Sequence, residues 1–253
     1  MAHSLNCVLI IGSAPDAVNA KQWDLSVFSS CVAINNAWQV TEDWDYLIYP
    51  EDFPLERLPP KVDQPSKQLI DARDFVPQQN RYGGFVYAGG TMAFTAGYWA
   101  LGALKPNVLA FLGCDMVYAA SDGKPTHFYG QGRADPLRQD ITLQSLEAKS
   151  VRLMAMAQSQ ACAVVNLSEL PQSRLLFPRA SIEDFPLHQD PHEGIHLPAK
   201  SLDASAIQRA LLAEKELAYM VPSGRYWEKA HEFDESKLND IDSMWLEAAA
   251  TPR

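Results

Sequence analysis

Near its amino terminus the sequence reads VLIIGSAP, from Val8 to Pro15. Four consecutive aliphatic residues are typical of a buried strand in a parallel sheet, where both faces are covered. The residues that follow predict a tight turn, in which the N–H groups of Gly12 and Ser13 can approach a phosphate. A dinucleotide fingerprint needs three glycines at such a turn, and this turn has a single one. The stretch therefore predicts the first strand of an α/β sheet, and a nucleotide site is one use of the turn after it.

The composition limits the classes of protein to which the chain can belong. With 253 residues and 47% hydrophobic residues, it can bury a sizeable core in one domain, with or without an appendage. A net charge of -10 argues against binding nucleic acid or an anionic membrane through a broad basic surface. No stretch is apolar enough to span a bilayer, and the four cysteines form no C-x-x-C pair. We therefore expect a cytoplasmic protein with buried, reduced thiols, no transmembrane segment and no nucleic-acid partner.

Further short apolar runs extend the predicted sheet. Each of them ends in polar or turn-forming residues, as the strands of an open parallel sheet do. These runs are 31–34, 45–49, 108–112 and 163–168. Helices are predicted over 92–104, 140–160, 201–220 and 236–250, and residues 16–28 carry the first crossover. The proline-rich stretch 53–82 is interpreted as a long excursion with one short strand near 67–71.

The chain divides near residue 179, where its composition changes. Residues 1–179 are predicted to form a single Rossmann-like domain with a mainly parallel sheet and a nucleotide site. Residues 180–253 are predicted to be a linker and a helical C-terminal appendage. This appendage packs on the core, closes over the cleft or mediates homo-oligomerisation.

Polar residues after the predicted strands are candidates for a binding site, because ligands collect at the carboxyl ends of parallel strands. Asn35 and Asn36 follow the second strand, and Asp115 follows a later one. Gly90 and Thr91 open a helix whose N–H groups can bind an anion. Each candidate has a structural alternative. Asparagines cap helices, a glycine turn allows close packing, and an aspartate after a strand fixes a turn.

The loop from Ser121 to Pro136 is the best candidate for a catalytic or substrate-binding segment. It holds His127, Tyr129, Lys124 and Arg133 together with three glycines. No hydrophobic core would need such a mixture, and conformationally permissive loops commonly carry function. A neutral His127 imidazole can take a proton from a hydroxyl near neutral pH. The alternative is a loop histidine that hydrogen-bonds the fold.

A metal site is not predicted. Every fourth residue of one stretch is a histidine, namely His188, His192 and His196, which on a helix would form one face of ligands. Pro191 and Gly194 within this stretch, and Pro186 and Pro198 beside it, disfavour the helix, so we interpret it as a solvated loop. If the protein is a transferase, tyrosine, lysine or arginine side chains and backbone donors meet the charge of the leaving group.

With these residues in place, the chain resembles the small bacterial sialyltransferases that modify lipooligosaccharide. It equally resembles a related family that includes an archaeal 6-hydroxymethylpterin pyrophosphokinase. The blocks that carry the resemblance share their order and spacing over residues 7–179. They are Ile11–Pro15, Ile34–Asn35, Gly90–Thr91 with Ala100–Gly102, Gly113–Asp115, His127–Gly130, and Val165–Ser168 with Ser173–Leu175.

The resemblance implies a single mixed α/β Rossmann-like domain that uses a cytidine monophosphate sugar as donor, without a metal. The implied donor site consists of Gly12, Ser13, Asn35, Gly90, Thr91, Asp115 and Ser173. Gly12 and Ser13 lie on the phosphate and ribose side of the donor, and Asp115 and Ser173 lie around its base or sugar.

Three positions depart from the family pattern. The catalytic histidine of the sialyltransferases falls on Gln131, which leaves His127 as the imidazole of the loop. The second asparagine of the donor site falls on Pro50. The tyrosine that meets the leaving phosphate falls on Val117, one position before Tyr118. The remaining residues favour binding of a nucleotide or nucleotide sugar more than sialyl transfer itself.

The function expected from the sequence is a metal-independent glycosyltransferase that uses a nucleotide-activated sugar in surface glycan assembly. Its small-molecule partners would be the nucleotide sugar and a glycan acceptor. His127 would act as base on the acceptor hydroxyl. Tyr118 or Tyr129, with Lys124 or Arg133, would stabilise the departing phosphate. One alternative is a pterin-type diphosphokinase, which would need ATP and magnesium. The other is a non-catalytic nucleotide-binding protein.

Overall fold

The computed structural model describes residues 5–60, 66–117, 125–130, 140–185 and 196–250. Within these ranges six strands form one sheet, in which every neighbouring pair runs parallel. The strands are β1 Cys7–Ile11, β2 Ser30–Ile34, β3 Tyr46–Ile48, β4 Gln68–Ile70, β5 Val108–Leu112 and β6 Ala163–Asn166. Their spatial order is β4-β3-β2-β1-β5-β6. The predicted α/β class with a parallel sheet is confirmed, and β4 confirms the short strand near 67–71.

The central strand β1 is buried on both faces, which explains its uninterrupted aliphatic sequence. In register, Leu9 lies opposite Cys31 of β2 and Ala110 of β5. Because side chains alternate along a strand, Val8 and Ile10 pack against one layer of the molecule and Leu9 and Ile11 against the other. All four cysteines are free and buried, as predicted.

Six α-helices lie in the described ranges, and all contribute buried residues to one face of the sheet. They are α1 Ala72–Asn80, α2 Phe85–Ala88, α3 Met92–Ala103, α4 Leu146–Gln158, α5 Ala204–Leu217 and α6 Glu235–Ala248. The opposite face is covered by the first crossover, which consists of the 3-10 helices Pro15–Gln22 and Leu25–Val27. None of the helices described is both long and apolar enough to cross a membrane.

The strand order reverses at β1. From β1 the chain adds β2, β3 and β4 on one side, and then crosses back through α1, α2 and α3 to place β5 on the other side. In open α/β sheets a ligand binds at such a reversal, outside the carboxyl ends of the two strands that flank it. Those ends continue into Gly12-Ser13 and Gly113-Cys114. The topology therefore directs attention to the crevice between them.

Two predicted elements differ from the observed ones. The excursion 53–82 contains the helix α1, which begins at a reciprocal capping box between Asp71 and Asp74. The helix predicted over 140–160 begins only at Leu146, because the Ser145 side chain accepts the Ala148 N–H and caps it.

Of the C-terminal helices, α6 packs against α4 and α5 packs against α6, and all three share one core. Arg152 of α4 forms an ion pair with Glu214 of α5 at 2.7 Å, and Lys149 of α4 pairs with Asp242 of α6 at the same distance. All four side chains are buried, and so is Trp245 of α6. The C-terminal segment therefore packs on the core, which is one of the three arrangements predicted for it. A separate domain boundary near residue 179 stays a prediction.

Candidate active site at the sheet's carboxyl edge

A cavity of about 970 Å³ lies at the carboxyl edge of the sheet, where residues after β1 and β5 form part of its wall. Residues that follow β2, β3 and β4, the start of α3 and residues 223–227 of the C-terminal segment complete the wall. Eight residues predicted from the sequence line it, namely Gly12, Ser13, Asn35, Asn36, Gly90, Thr91, His127 and Tyr129. The cavity is thus lined by residues that lie more than a hundred positions apart in the chain.

Other predicted site residues cannot be placed. Tyr118, Lys124, Gln131 and Arg133 lie outside the described residues, and so do His188 and His192 of the histidine stretch. His196 is described and exposed. In the ranges that the structure covers, no group of three or more histidine, cysteine, aspartate or glutamate side chains could hold a metal ion.

The turn after β1 is built against the end of β5. The Gly12 N–H donates to the Leu112 carbonyl at 2.8 Å, and the Ala14 N–H donates to the Gly113 carbonyl at 2.9 Å. A Cβ on Gly12 would lie 2.3 Å from the Gly113 oxygen, so only glycine fits here. The Ser13 N–H donates to no acceptor within the described part of the chain. Of these three amides, Ser13 is therefore the one available to a ligand.

Asn35 combines backbone strain with an unsatisfied polar atom. Its φ of 52° lies in the left-handed region, which costs a non-glycine residue free energy. Its Oδ1 is buried and accepts no hydrogen bond from the described residues. Asn35 is the first residue of the 3-10 helix Asn35–Gln39, and no side chain caps that helix. Met116, after β5, also lines the cavity and has a left-handed φ of 53°.

The Gly90 turn is engaged in packing. The Gly90 N–H donates to Thr142 Oγ1 at 2.9 Å, and a Cβ on Gly90 would lie 2.1 Å from the Tyr226 hydroxyl. Thr91 Oγ1 accepts the Phe94 N–H and caps α3. Both Thr142 and Tyr226 donate to the Asp140 carboxylate, each at 2.7 Å. The Gly90 amide therefore has an acceptor within the protein, and anion binding at the start of α3 stays a prediction.

His127 is a buried imidazole in the wall of the cavity. Burial lowers its pKa, because a charged ring loses hydration there. Its Nδ1 lies 2.8 Å from Thr126 Oγ1, and its ring stacks on Tyr129 with centroids 5.0 Å apart. The Phe128 N–H donates to the Ser13 carbonyl at 3.0 Å. The loop is thereby fixed to the turn after β1, and the His127 side chain forms part of the cavity wall.

Asp115 and Ser173 lie in a different polar cluster and do not line the cavity. Asn166 at the end of β6 donates to Asp115 Oδ1 at 3.2 Å and to Ser173 Oγ at 3.1 Å. The Arg174 N–H also donates to the Asp115 carbonyl. These bonds join the ends of β5 and β6 and the loop that follows β6. The structural alternative named for Asp115, a fixed turn, agrees with this arrangement.

The sequence did not single out several residues of the wall. Arg57, Asp140, Tyr226 and Trp227 all line the cavity. Arg57 is exposed, and it forms no ion pair within the described ranges, so its charge can meet an anion. The triplet Arg-Tyr-Trp at 225–227, between two helices, was a usable signal, since a surface linker rarely needs two adjacent aromatic residues.

Comparison with known proteins identifies no relative of this chain. The chain matches no protein-family model, no curated protein and no solved structure. Its class therefore follows from its own architecture, a Rossmann-like α/β protein with a parallel sheet and a cavity at the point where the strand order reverses.

Proposed function

We propose that this protein is a metal-independent glycosyltransferase that uses a nucleotide-activated sugar, similar to the sialyltransferases, in surface glycan assembly. The observation that carries the proposal is the placement of His127. A neutral imidazole faces the cavity and is tied, through the Phe128 N–H, to the turn that approaches a phosphate in Rossmann-like folds. A base beside a phosphate-binding turn is the arrangement that transfer from a nucleotide sugar requires.

The donor is held by groups at the ends of β1, β2 and β3. The Ser13 N–H can donate a hydrogen bond to the nucleotide sugar, and the buried Asn35 Oδ1 can accept one from it. Arg57 supplies a positive charge, and a guanidinium matches the geometry of a phosphate. A cytidine monophosphate sugar fits this set, since it carries a single phosphate and needs one cation rather than a metal cluster.

The transfer step uses His127 as base. Its neutral nitrogen takes the proton of an acceptor hydroxyl, and the acceptor oxygen forms the new bond to the anomeric carbon. The bond from that carbon to the phosphate oxygen breaks, and the electron pair leaves with the nucleoside monophosphate. Tyr118 or Tyr129, with Lys124 or Arg133, stabilises the charge that develops on the leaving phosphate.

The His127→Ala variant tests this role. We expect it to abolish release of cytidine monophosphate from a cytidine monophosphate sugar, while its affinity for cytidine monophosphate, measured by calorimetry, stays within about twofold. Exposed His196, which is absent from the cavity wall, gives the matched control His196→Ala with full turnover. Turnover retained by His127→Ala would remove the imidazole from the mechanism.

The pH dependence of turnover has a defined direction. Because burial lowers the His127 pKa, the base stays neutral at pH values where a free histidine would be protonated. We expect kcat to hold its plateau down to below about pH 6.5 and then to fall.

A thermal-shift series with nucleotides separates the alternative functions. Stabilisation by ATP only with magnesium favours diphosphate transfer, and a bound nucleotide without turnover favours a binding protein.

A further inference from the structure

Trp227 is an exposed indole in the wall of the cavity. Among the described residues, the large hydrophobic side chains that are exposed include two aromatic ones, Trp227 at 56% and Tyr129 at 46%, and both line this cavity. The other five tryptophans of the chain are buried or half-buried. An exposed aromatic face within a cavity is a feature of ligand sites, because contact with a ligand removes its apolar area from water.

The position of Trp227 is fixed by its neighbour. The Tyr226 ring packs edge-on against the Trp227 ring, with centroids 5.5 Å apart. Tyr226 is itself buried, and its hydroxyl donates to Asp140 at 2.7 Å. Both residues belong to the 3-10 helix Tyr226–Glu232. The indole is therefore held ready for a ligand, which reduces the entropy cost of binding.

The charges around Trp227 favour an uncharged ligand that is rich in hydroxyl groups. Arg225 is paired with Glu51 at 3.3 Å and with Glu228 at 3.8 Å, so its charge is compensated. Asp52 adds another carboxylate to the same cavity wall. Carboxylates repel a phosphate and accept hydrogen bonds from sugar hydroxyls. The C–H face of a sugar ring packs on an indole.

We propose that Trp227 is the platform for the sugar ring of a neutral glycan acceptor, in the cavity that also holds the His127 imidazole. The assignment rests on the proposed function for its reaction, and the binding itself is testable without turnover. Within the cavity wall it assigns Trp227, Glu51 and Asp52 to the acceptor and Ser13 and Arg57 to the donor phosphate.

The experiment is saturation-transfer NMR on the full chain, with lactose, cellobiose and methyl β-galactoside as probes and saturating cytidine monophosphate present. We expect saturation of the sugar ring protons, an apparent Kd about tenfold weaker in Trp227→Ala, and a smaller loss in Trp227→Phe. Half-buried Trp23, outside the cavity, gives the control Trp23→Phe with unchanged saccharide binding. Thermal melts of each variant separate lost binding from lost folding.

Three outcomes would overturn the proposal. The first is that none of the three saccharides binds the wild type. The second is equal saccharide binding by the wild type and both Trp227 variants. The third is a Trp227→Ala variant that loses cytidine monophosphate instead, which would assign the indole to the nucleobase. Failure of cytidine monophosphate to bind the wild type, with saccharide binding that depends on Trp227, would count against the proposed donor and not against the platform.

Discussion

At the scale of the residue, the site depends on how closely two strand ends approach. Gly12 and Gly113 follow the ends of β1 and β5. The Gly113 carbonyl occupies the space that a side chain on Gly12 would need. Asn35 and Met116 add left-handed backbone at neighbouring ends. Such strain persists where the surrounding structure fixes it, and it is common at ligand sites.

The Gly12→Ala substitution should destabilise the protein. Its Cβ would meet the Gly113 oxygen at 2.3 Å, and backbone atoms cannot move aside as a flexible side chain does. We expect a loss of about 1–3 kcal/mol in the free energy of unfolding, measured with urea.

The matched control for this glycine is Gly102→Ala in α3. There the new Cβ meets the Gln78 side chain, which can turn away, and alanine favours the helix by up to about 1 kcal/mol. If Gly12→Ala proved as stable as Gly102→Ala, the close approach of the two strand ends would not be the constraint described.

Single residues also show how far the sequence could predict the site. Gly12 and Asn35 stood out because they directly follow predicted strands and His127 because it lies in a polar, glycine-rich loop, and all three line the cavity. Asp115 also follows a strand, but its Oδ1 accepts a hydrogen bond from Asn166 at the end of β6, and Asp115 does not line the cavity. Trp227 joins the site from a segment far away in the chain, and no local pattern encodes that distance.

At the scale of the element, strands were easier to predict than helices with mixed composition. A strand buried on both faces must be apolar throughout, as β1 and β5 are. Helix α1 was missed because it contains Pro77 and few apolar residues, although its capping box was readable in the sequence. Helix α4 buries Lys149 and Arg152, and a charged residue on a helix ordinarily indicates a solvent-facing side.

The buried ion pair of Arg152 with Glu214 should contribute far more to the free energy of unfolding than the exposed ion pair of Arg209 with Glu247. Glu214→Gln leaves the buried Arg152 guanidinium without a compensating charge, so we expect a loss of about 3–5 kcal/mol in the free energy of unfolding. Glu247→Gln removes a pair with Arg209 that is more than half exposed and also joins α5 to α6. That change should cost no more than about 1 kcal/mol. Chemical denaturation of both variants measures the difference, and equal losses would contradict it.

At the scale of the whole molecule, the C-terminal helices complete both the core and the cavity. Helices α5 and α6 cover α4, and residues 223–227 reach the carboxyl edge of the sheet. The buried Lys149 and Arg152 have their carboxylate partners in these helices. Folding of the sheet and assembly of the cavity are therefore expected to be one cooperative event.

A chain that ends at Phe185 should not fold by itself. It would expose the apolar surface of α4 and leave the two cations of α4 without their carboxylate partners, which is a large destabilisation. We expect it to lack a cooperative thermal transition by circular dichroism, whereas a control chain that ends at Ala250 melts as the full chain does. A sharp transition in the shorter chain would mean that residues 180–253 are an independent appendage.

The burial of every cysteine has a practical consequence. Burial raises the pKa of Cys7 to about 11 and of Cys162 to about 12, and it raises the pKa values of Cys31 and Cys114 as well. Since the thiolate is the reactive form, the native surface presents no thiol to a maleimide dye. One cysteine introduced at an exposed position such as Leu55 would then carry the whole label, and a single fluorophore could report the binding of a ligand beside the cavity.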